Sequence, residues 1–158
     1  MKAITIYQPW ASLIACGAKR FETRSWATSY RGPIAIHAGL KYINCFMEGF
    51  AERAHKELKE RIQDFTYMHD LPRGFIIAIG KLAECHLIQD DGYAQENQKA
   101  ELTKYIQRPN YFREYIQGKE LIFGDFTPGR YAWEFADVVM LPEPIPAVGH
   151  QRLWEWAA

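Results

Sequence analysis

The sequence predicts an α+β domain built around a curved sheet or small barrel. Two features point there. Segments that read as strands recur at Ala3–Tyr7, Ile34–Ala38, Phe75–Ile88 and Tyr131–Met140, and in the first two the residues alternate at period two, which marks half-buried strands. They are separated by helical patterns of unequal length rather than by the regular strand–helix rhythm of a doubly wound fold, whose Gly-x-Gly-x-x-Gly phosphate fingerprint is also missing.

The first strand, Ala3–Tyr7, alternates Ile4 and Ile6 with Thr5 and Tyr7 and is broken by Gln8-Pro9. Pro9 suits the first position of a helix, along which Trp10, Leu13, Ile14 and Gly17 fall at helical spacing, and Gly17 suits the left-handed residue that ends it. The chain should then return as a strand through Arg24. After a turn at Arg31-Gly32-Pro33, a further strand carries Ile34, Ile36 and Ala38 on one pattern and Ala35 and His37 on the other.

From Leu40 the period changes. Ile43, Met47, Phe50, Ala54, Leu58, Ile62 and Phe65 recur every three or four residues, so an amphipathic helix of about 20 residues is expected to cover the sheet. Leu71-Pro72-Arg73-Gly74 ends that segment, and the long strand from Phe75 to Ile88 is expected to bend or bulge at Gly80. Residues 89–117 read as a loop with one or two short helices, rich in aromatics from Tyr105 to Ile116. The last strong strand is Tyr131–Met140. Three alternate prolines in Leu141–Pro146 predict extended chain that is neither helix nor a central strand.

At 158 residues the chain fits one domain, residues 1–158, able to bury a core without disulfides. Its 19 basic and 19 acidic residues balance, so no overall field favours nucleic acid or a membrane. One local asymmetry stands out: Lys19, Arg20, Arg24, Arg31 and Lys41 surround Glu22 alone, while the remote half of the chain is acidic. Such a patch could attract phosphate. Cys16, Cys45 and Cys85 show no metal or redox spacing, and no apolar run reaches the roughly 18 residues of a membrane span. A reduced, cytoplasmic protein without signal sequence or membrane segment is expected. The histidines likewise lack metal-ligand spacing, so neither metal nor other cofactor is expected.

Within Gly17–Arg24, Lys19, Glu22 and Arg24 hold charges of both signs close to one turn. They could be solvated ion pairs, or a set that grips an anionic ligand or moves protons. Four segments carry a resemblance: Ile6–Ile14, Gly17–Trp26, Tyr30–Ala38, and Gly129–Phe135 running on to Gly149–Trp156. Together they resemble the activating-signal-cointegrator homology (ASCH) family, a branch of the PUA-like superfamily of small RNA-associated β-barrels. Gly17-x-Lys19-x-x-Glu22-x-Arg24 matches that family's signature, and residues 40–70 and 89–125 read as insertions.

The resemblance implies a PUA-like small mixed β-barrel with flanking helices and helical insertions. It also implies a cleft for RNA or a modified nucleotide, with the signature on its wall. Lys19, Glu22 and Arg24 are its first candidates, with Trp26, Gln8, Trp10, His37 and Tyr131 completing the candidate binding set. Trp10, Trp26, Tyr7 and Trp133 offer faces on which a base could stack, Trp26 being the one expected at the surface. The residue patterns alone favour packing roles for Trp10, Trp133 and His37.

Some small ASCH members are amidohydrolases that remove the acyl group from N4-acetylcytidine with a lysine, threonine and glutamate triad. Lys19 matches the lysine, but Glu22 stands at the threonine position, and no residue here is assigned as the triad glutamate. If the protein is an enzyme, Lys19 and Glu22 are the catalytic candidates, with Glu22 as general base or Lys19 as nucleophile or oxyanion partner. A neutral Lys19 amine is opposed by the adjacent carboxylate, so binding is the simpler reading. An acylated-nucleoside hydrolase is the alternative, and a protein-interaction domain using the aromatic 105–116 segment the second.

Overall fold

The computed structural model describes residues 1–43, 49–89, 104–107, 113–116 and 118–157. Strands β1 (Lys2–Gln8), β2 (Phe21–Arg24), β3 (Gly32–Tyr42), β4 (Phe75–Gln89), β7 (Tyr131–Pro146) and β8 (Leu153–Glu155) form one mixed sheet in the order β2-β7-β4-β3-β1-β8. Short strands β5 (Lys104–Gln107) and β6 (Arg113–Ile116) extend it from the end of β4. All these pairings are antiparallel except β1 with β3, whose parallel pairing is made possible by the crossover through α1 (Trp10–Ala15) and β2.

The sheet curls strongly without closing its ladder. In a flat sheet β2 and β1, four strand spacings apart, would lie roughly 19 Å from each other. Yet the guanidinium of Arg24 on β2 donates to the Thr5 carbonyl of β1 at 2.8 Å. β8 pairs only with Lys2–Ile4, which leaves the Thr5 carbonyl open to that side chain. The expected barrel is therefore corrected to a curled sheet whose seam, among the described residues, is bridged by a side chain rather than by paired strands.

Ile4, Ile6, Ile34, Ile36, Leu82 and Trp133 fill the inside of the curl, where α1 seats Ala11, Ile14 and Ala15. The opposite faces of β1 and β3 are also buried. There Ala3, Ala35 and Ile76 pack under Trp156 from the C-terminal segment. β4 and β7 are the two longest strands, and the register slips between Ile79 and Lys81, at the Gly80 bulge that the sequence predicts.

Three expectations change. The second helix, α2, runs over Phe50–Arg61 rather than about 20 residues, residues 44–48 lying outside the description. It does not cover the sheet; Phe50, Ala54 and Leu58 pack on Leu13 of α1 and on Phe123 of the short helix α3 (Lys119–Phe123). Residues 141–146 continue β7, with Ile145 and Pro146 opposite Ile76 and Phe75. The prolines are tolerated because β2 pairs only with Tyr131–Glu134, so this stretch of β7 is an edge. Within the expected loop, residues 104–107 and 113–116 are strands rather than helix, and Tyr111 and Phe112 lie outside the described residues.

Candidate functional site

The end of α1 fixes the signature. Gly17 takes a left-handed φ of 74°, which a β-carbon would oppose, and the Lys19 amide donates back to the Leu13 carbonyl at 2.9 Å. This hook turns the Lys19 side chain inward, where it is fully buried, its ammonium donating to the Phe21 carbonyl. From there Nζ lies 3.5 Å from Glu22 Oε2. Arg24 Nε approaches Glu22 Oε1 at 3.2 Å. Glu22 is thus held between two cations, its carboxylate side chain 12 % exposed.

A second carboxyl joins them from far along the chain. Glu120, in the first turn of α3, accepts from the backbone N–H groups of Arg20 and Phe21 on the outer edge of β2. Burial pushes its carboxyl above the usual range, opposed by the nearby Lys19 ammonium and by those N–H donors. α3 is itself tied to α2, since Lys119 Nζ donates to Glu57 Oε2 at 2.8 Å. The sequence gives no local sign of Glu120, because its contact with Arg20 spans 100 positions.

A cleft of about 210 Å³ opens beside this cluster, lined by Trp10, Glu22, Thr23, Phe123, Gly124 and Asp125. Its far wall is braced by the Asp125 amide donating to Thr23 Oγ1 at 3.1 Å and by Arg130 Nε at 3.2 Å from Asp125 Oδ2. Lys19 and Arg24 stand behind Glu22 rather than on the wall.

The other candidates separate. Trp10 is half-buried on the cleft, its ring 5.2 Å from that of Phe50. Gln8 is buried and occupied: its Oε1 accepts from the Ser12 amide at 3.1 Å, capping α1, while Nε2 donates to the Pro72 carbonyl at 2.8 Å. Trp26, expected at the surface, is half-buried, edge-on to Trp133 at 4.5 Å with the Arg152 guanidinium 5.9 Å from its ring. Tyr131 packs partly buried against the same core, and Tyr7 is exposed.

His37 is buried under the C-terminal segment, with Nε2 donating to the Ala147 carbonyl at 3.0 Å and Nδ1 accepting from the Thr5 hydroxyl at 3.2 Å. Trp154 Nε1–H completes that chain by donating to Thr5 Oγ1. Burial holds the His37 ring below its ordinary value.

The local positive surplus is closed by remote acids. Arg20 bonds Glu134 and Arg31 bonds Glu84, as Lys19 and Arg24 hold Glu22. Glu134 also accepts from His86 Nε2 at 2.7 Å, while the buried His86 Nδ1 has no partner among the described residues. Among those residues, no group of three or more His, Cys, Asp or Glu side chains is arranged to hold a metal ion, and no helix is long and apolar enough to cross a membrane.

Residues 4–142 match the ASCH domain family. The chain belongs to it. That match contains Gly17–Arg24, the cleft residues, β4 and most of β7, whereas the Gly149–Trp156 segment lies beyond its end. The ASCH domain is also 32% identical over 82 residues to activating signal cointegrator 1 from Homo sapiens, and equally to the Mus musculus protein of that name. The similarity covers 52% of this chain and 14% of each relative, so this ASCH domain spans a small part of the length of the curated proteins it matches.

Proposed function

We propose that this ASCH domain binds RNA or a modified nucleotide by taking a base into the cleft beside Glu22, with Trp10 as the stacking face. The observation that carries this reading is the cleft itself, where one aromatic ring and a carboxylate anchored by Lys19 and Arg24 face the same space. Its volume, about 210 Å³, falls below the ~300–1,000 Å³ of pockets for drug-sized ligands. That is room for a base, with ribose and phosphate outside. Lys19 and Arg24 then serve as the mount of the wall, not as phosphate grips.

This reading sets a salt signature. With Lys19, Arg20, Arg24 and Arg31 all engaged by carboxylates, few counterions are released on binding, and affinity should fall only weakly with salt. Calorimetric titration of single-stranded RNA and of mononucleotides at low and moderate salt tests it, alongside Trp10→Ala. Binding that is shallow in salt and lost in Trp10→Ala supports the reading; absence of binding even at low salt overturns it.

The hydrolytic alternative requires Lys19 to reach a cleft-bound substrate, but its ammonium is turned to the Phe21 carbonyl behind the wall. Following deacetylation of N4-acetylcytidine by the wild type and by Lys19→Ala separates the two readings.

A further inference from the structure

We propose that the cleft selects a guanine-type base, one that offers two adjacent N–H donors to Glu22 while its ring lies against Trp10. The inference rests on the base-binding reading above and adds which base edge is read.

Among the described residues, every charged group on the cleft wall is a carboxylate. Glu22 and Asp125 line it together with Trp10, Phe123, Thr23 and Gly124, with no basic side chain among them. A phosphate would meet repulsion there, and an occupant must bring donors. The two carboxylates are not equivalent. Asp125 Oδ1 accepts from the Thr127 amide and hydroxyl, and Oδ2 faces Arg130, so its oxygens serve the loop. Each Glu22 oxygen faces one cation from behind, Lys19 at 3.5 Å and Arg24 at 3.2 Å, and retains lone pairs for the cleft. Held from both sides, the carboxylate is fixed in position before a ligand arrives, as precise recognition requires.

A carboxylate's paired oxygens match two parallel N–H donors. On guanine, N1–H and N2–H lie side by side. Uracil sets its single N–H between two carbonyl oxygens, which would face Glu22 with like polarity. Cytosine and adenine place a ring acceptor beside their amine, so one Glu22 oxygen would meet a lone pair. A site built on donors rejects an analogue that leaves an acceptor unpaired. Hypoxanthine, which keeps N1–H and lacks the 2-amine, isolates the second contact.

The experiment is calorimetric titration of the wild-type protein with GMP, IMP, AMP, CMP and UMP at one salt concentration, repeated with Glu22→Gln and Trp10→Ala. GMP is expected to bind roughly tenfold to hundredfold more tightly than the others, IMP included, from the loss of a hydrogen bond to a charged group. Glu22→Gln should erase that preference, and Trp10→Ala should weaken all binding. If Glu22→Gln fails to fold by circular dichroism, the GMP-to-IMP ratio on the wild type still decides. Equal binding of all five nucleotides, lost in Trp10→Ala, would overturn the guanine inference and leave base binding standing. Binding of free arginine with no nucleotide bound would overturn both, making the occupant a cationic protein side chain.

Discussion

At the scale of single residues, Gly149 and Lys19 make the sharpest claims. A β-carbon at Gly149 would overlap the His37 ring, which hydrogen bonds to Thr5 and Ala147 hold in place, so the ring cannot swing away. Gly149→Ala should therefore cost about 1–3 kcal/mol in urea unfolding; an unchanged midpoint would show that His37 yields. Lys19 is a different case, a fully buried ammonium beside Glu22 and Glu120. Lys19→Ala removes the buried cation that faces Glu22 and Glu120 and opens a cavity, and should lower stability by about 3–5 kcal/mol. Lys19→Met, which refills the volume, should recover part of the loss in the same unfolding measurement. Recovery equal to wild type would mean that the charge contributes nothing to the fold. The local signals at these sites were plain in the sequence: Gly17 as the helix end, and the Lys19, Glu22 and Arg24 spacing. Where the charges point was not. Nothing near Gly149 signals His37, because that contact links residues more than a hundred positions apart.

At the scale of elements, α3 is too short to be stable alone and depends on its neighbours. Glu57 on α2 is the tie. Burial disfavours its charge, but Lys119, Arg61 and Arg53 outweigh that and hold its carboxyl below the ordinary 4.5. Because the folded value is the lower one, this contribution is complete above about pH 4.5 and drains away as the pH falls through the folded value. Glu57→Gln should flatten that part of the acid limb of stability against pH; an unaltered limb would assign it to other carboxylates. Strands were the legible elements, since period two survives in Ile4/Ile6 and Ile34/Ile36 whatever lies opposite. Helix α2 was read too long because Ile62 and Phe65 keep the helical spacing while packing on its cluster from outside the helix. Pro142, Pro144 and Pro146 argued against a central strand, and among the described residues β7 carries them along an edge.

At the scale of the whole molecule, charge that is segregated along the chain is mixed in space. The basic stretch from Lys19 to Arg31 folds against Glu84 and Glu134 from the acidic half, and the patch that a linear count suggests disappears. The candidate cleft is lined by the carboxylates of Glu22 and Asp125 although the neighbourhood of Glu22 in sequence is cationic. The family was legible; the sign of the wall was not, since Asp125 joins Glu22 there from a remote part of the chain.

The seam between β2 and β1 has a kinetic consequence. Among the described residues β2 has a strand partner on one side only, and its other side is secured by side chains: Glu120 on the Arg20 and Phe21 amides, Arg24 on Thr5. Breathing of the fold should start there, because fewer bonds must break together than within β3 and β4, which are paired on both sides. Native-state hydrogen exchange should then show β2 amides losing protection before those of Ile34–Ile36, and Arg24→Ala should widen the gap. Uniform protection across the sheet would mean that the side-chain clasp is as strong as a ladder. Since Glu22 sits on that same strand, the wall proposed to read the base would also be the part of the sheet that opens first to admit it.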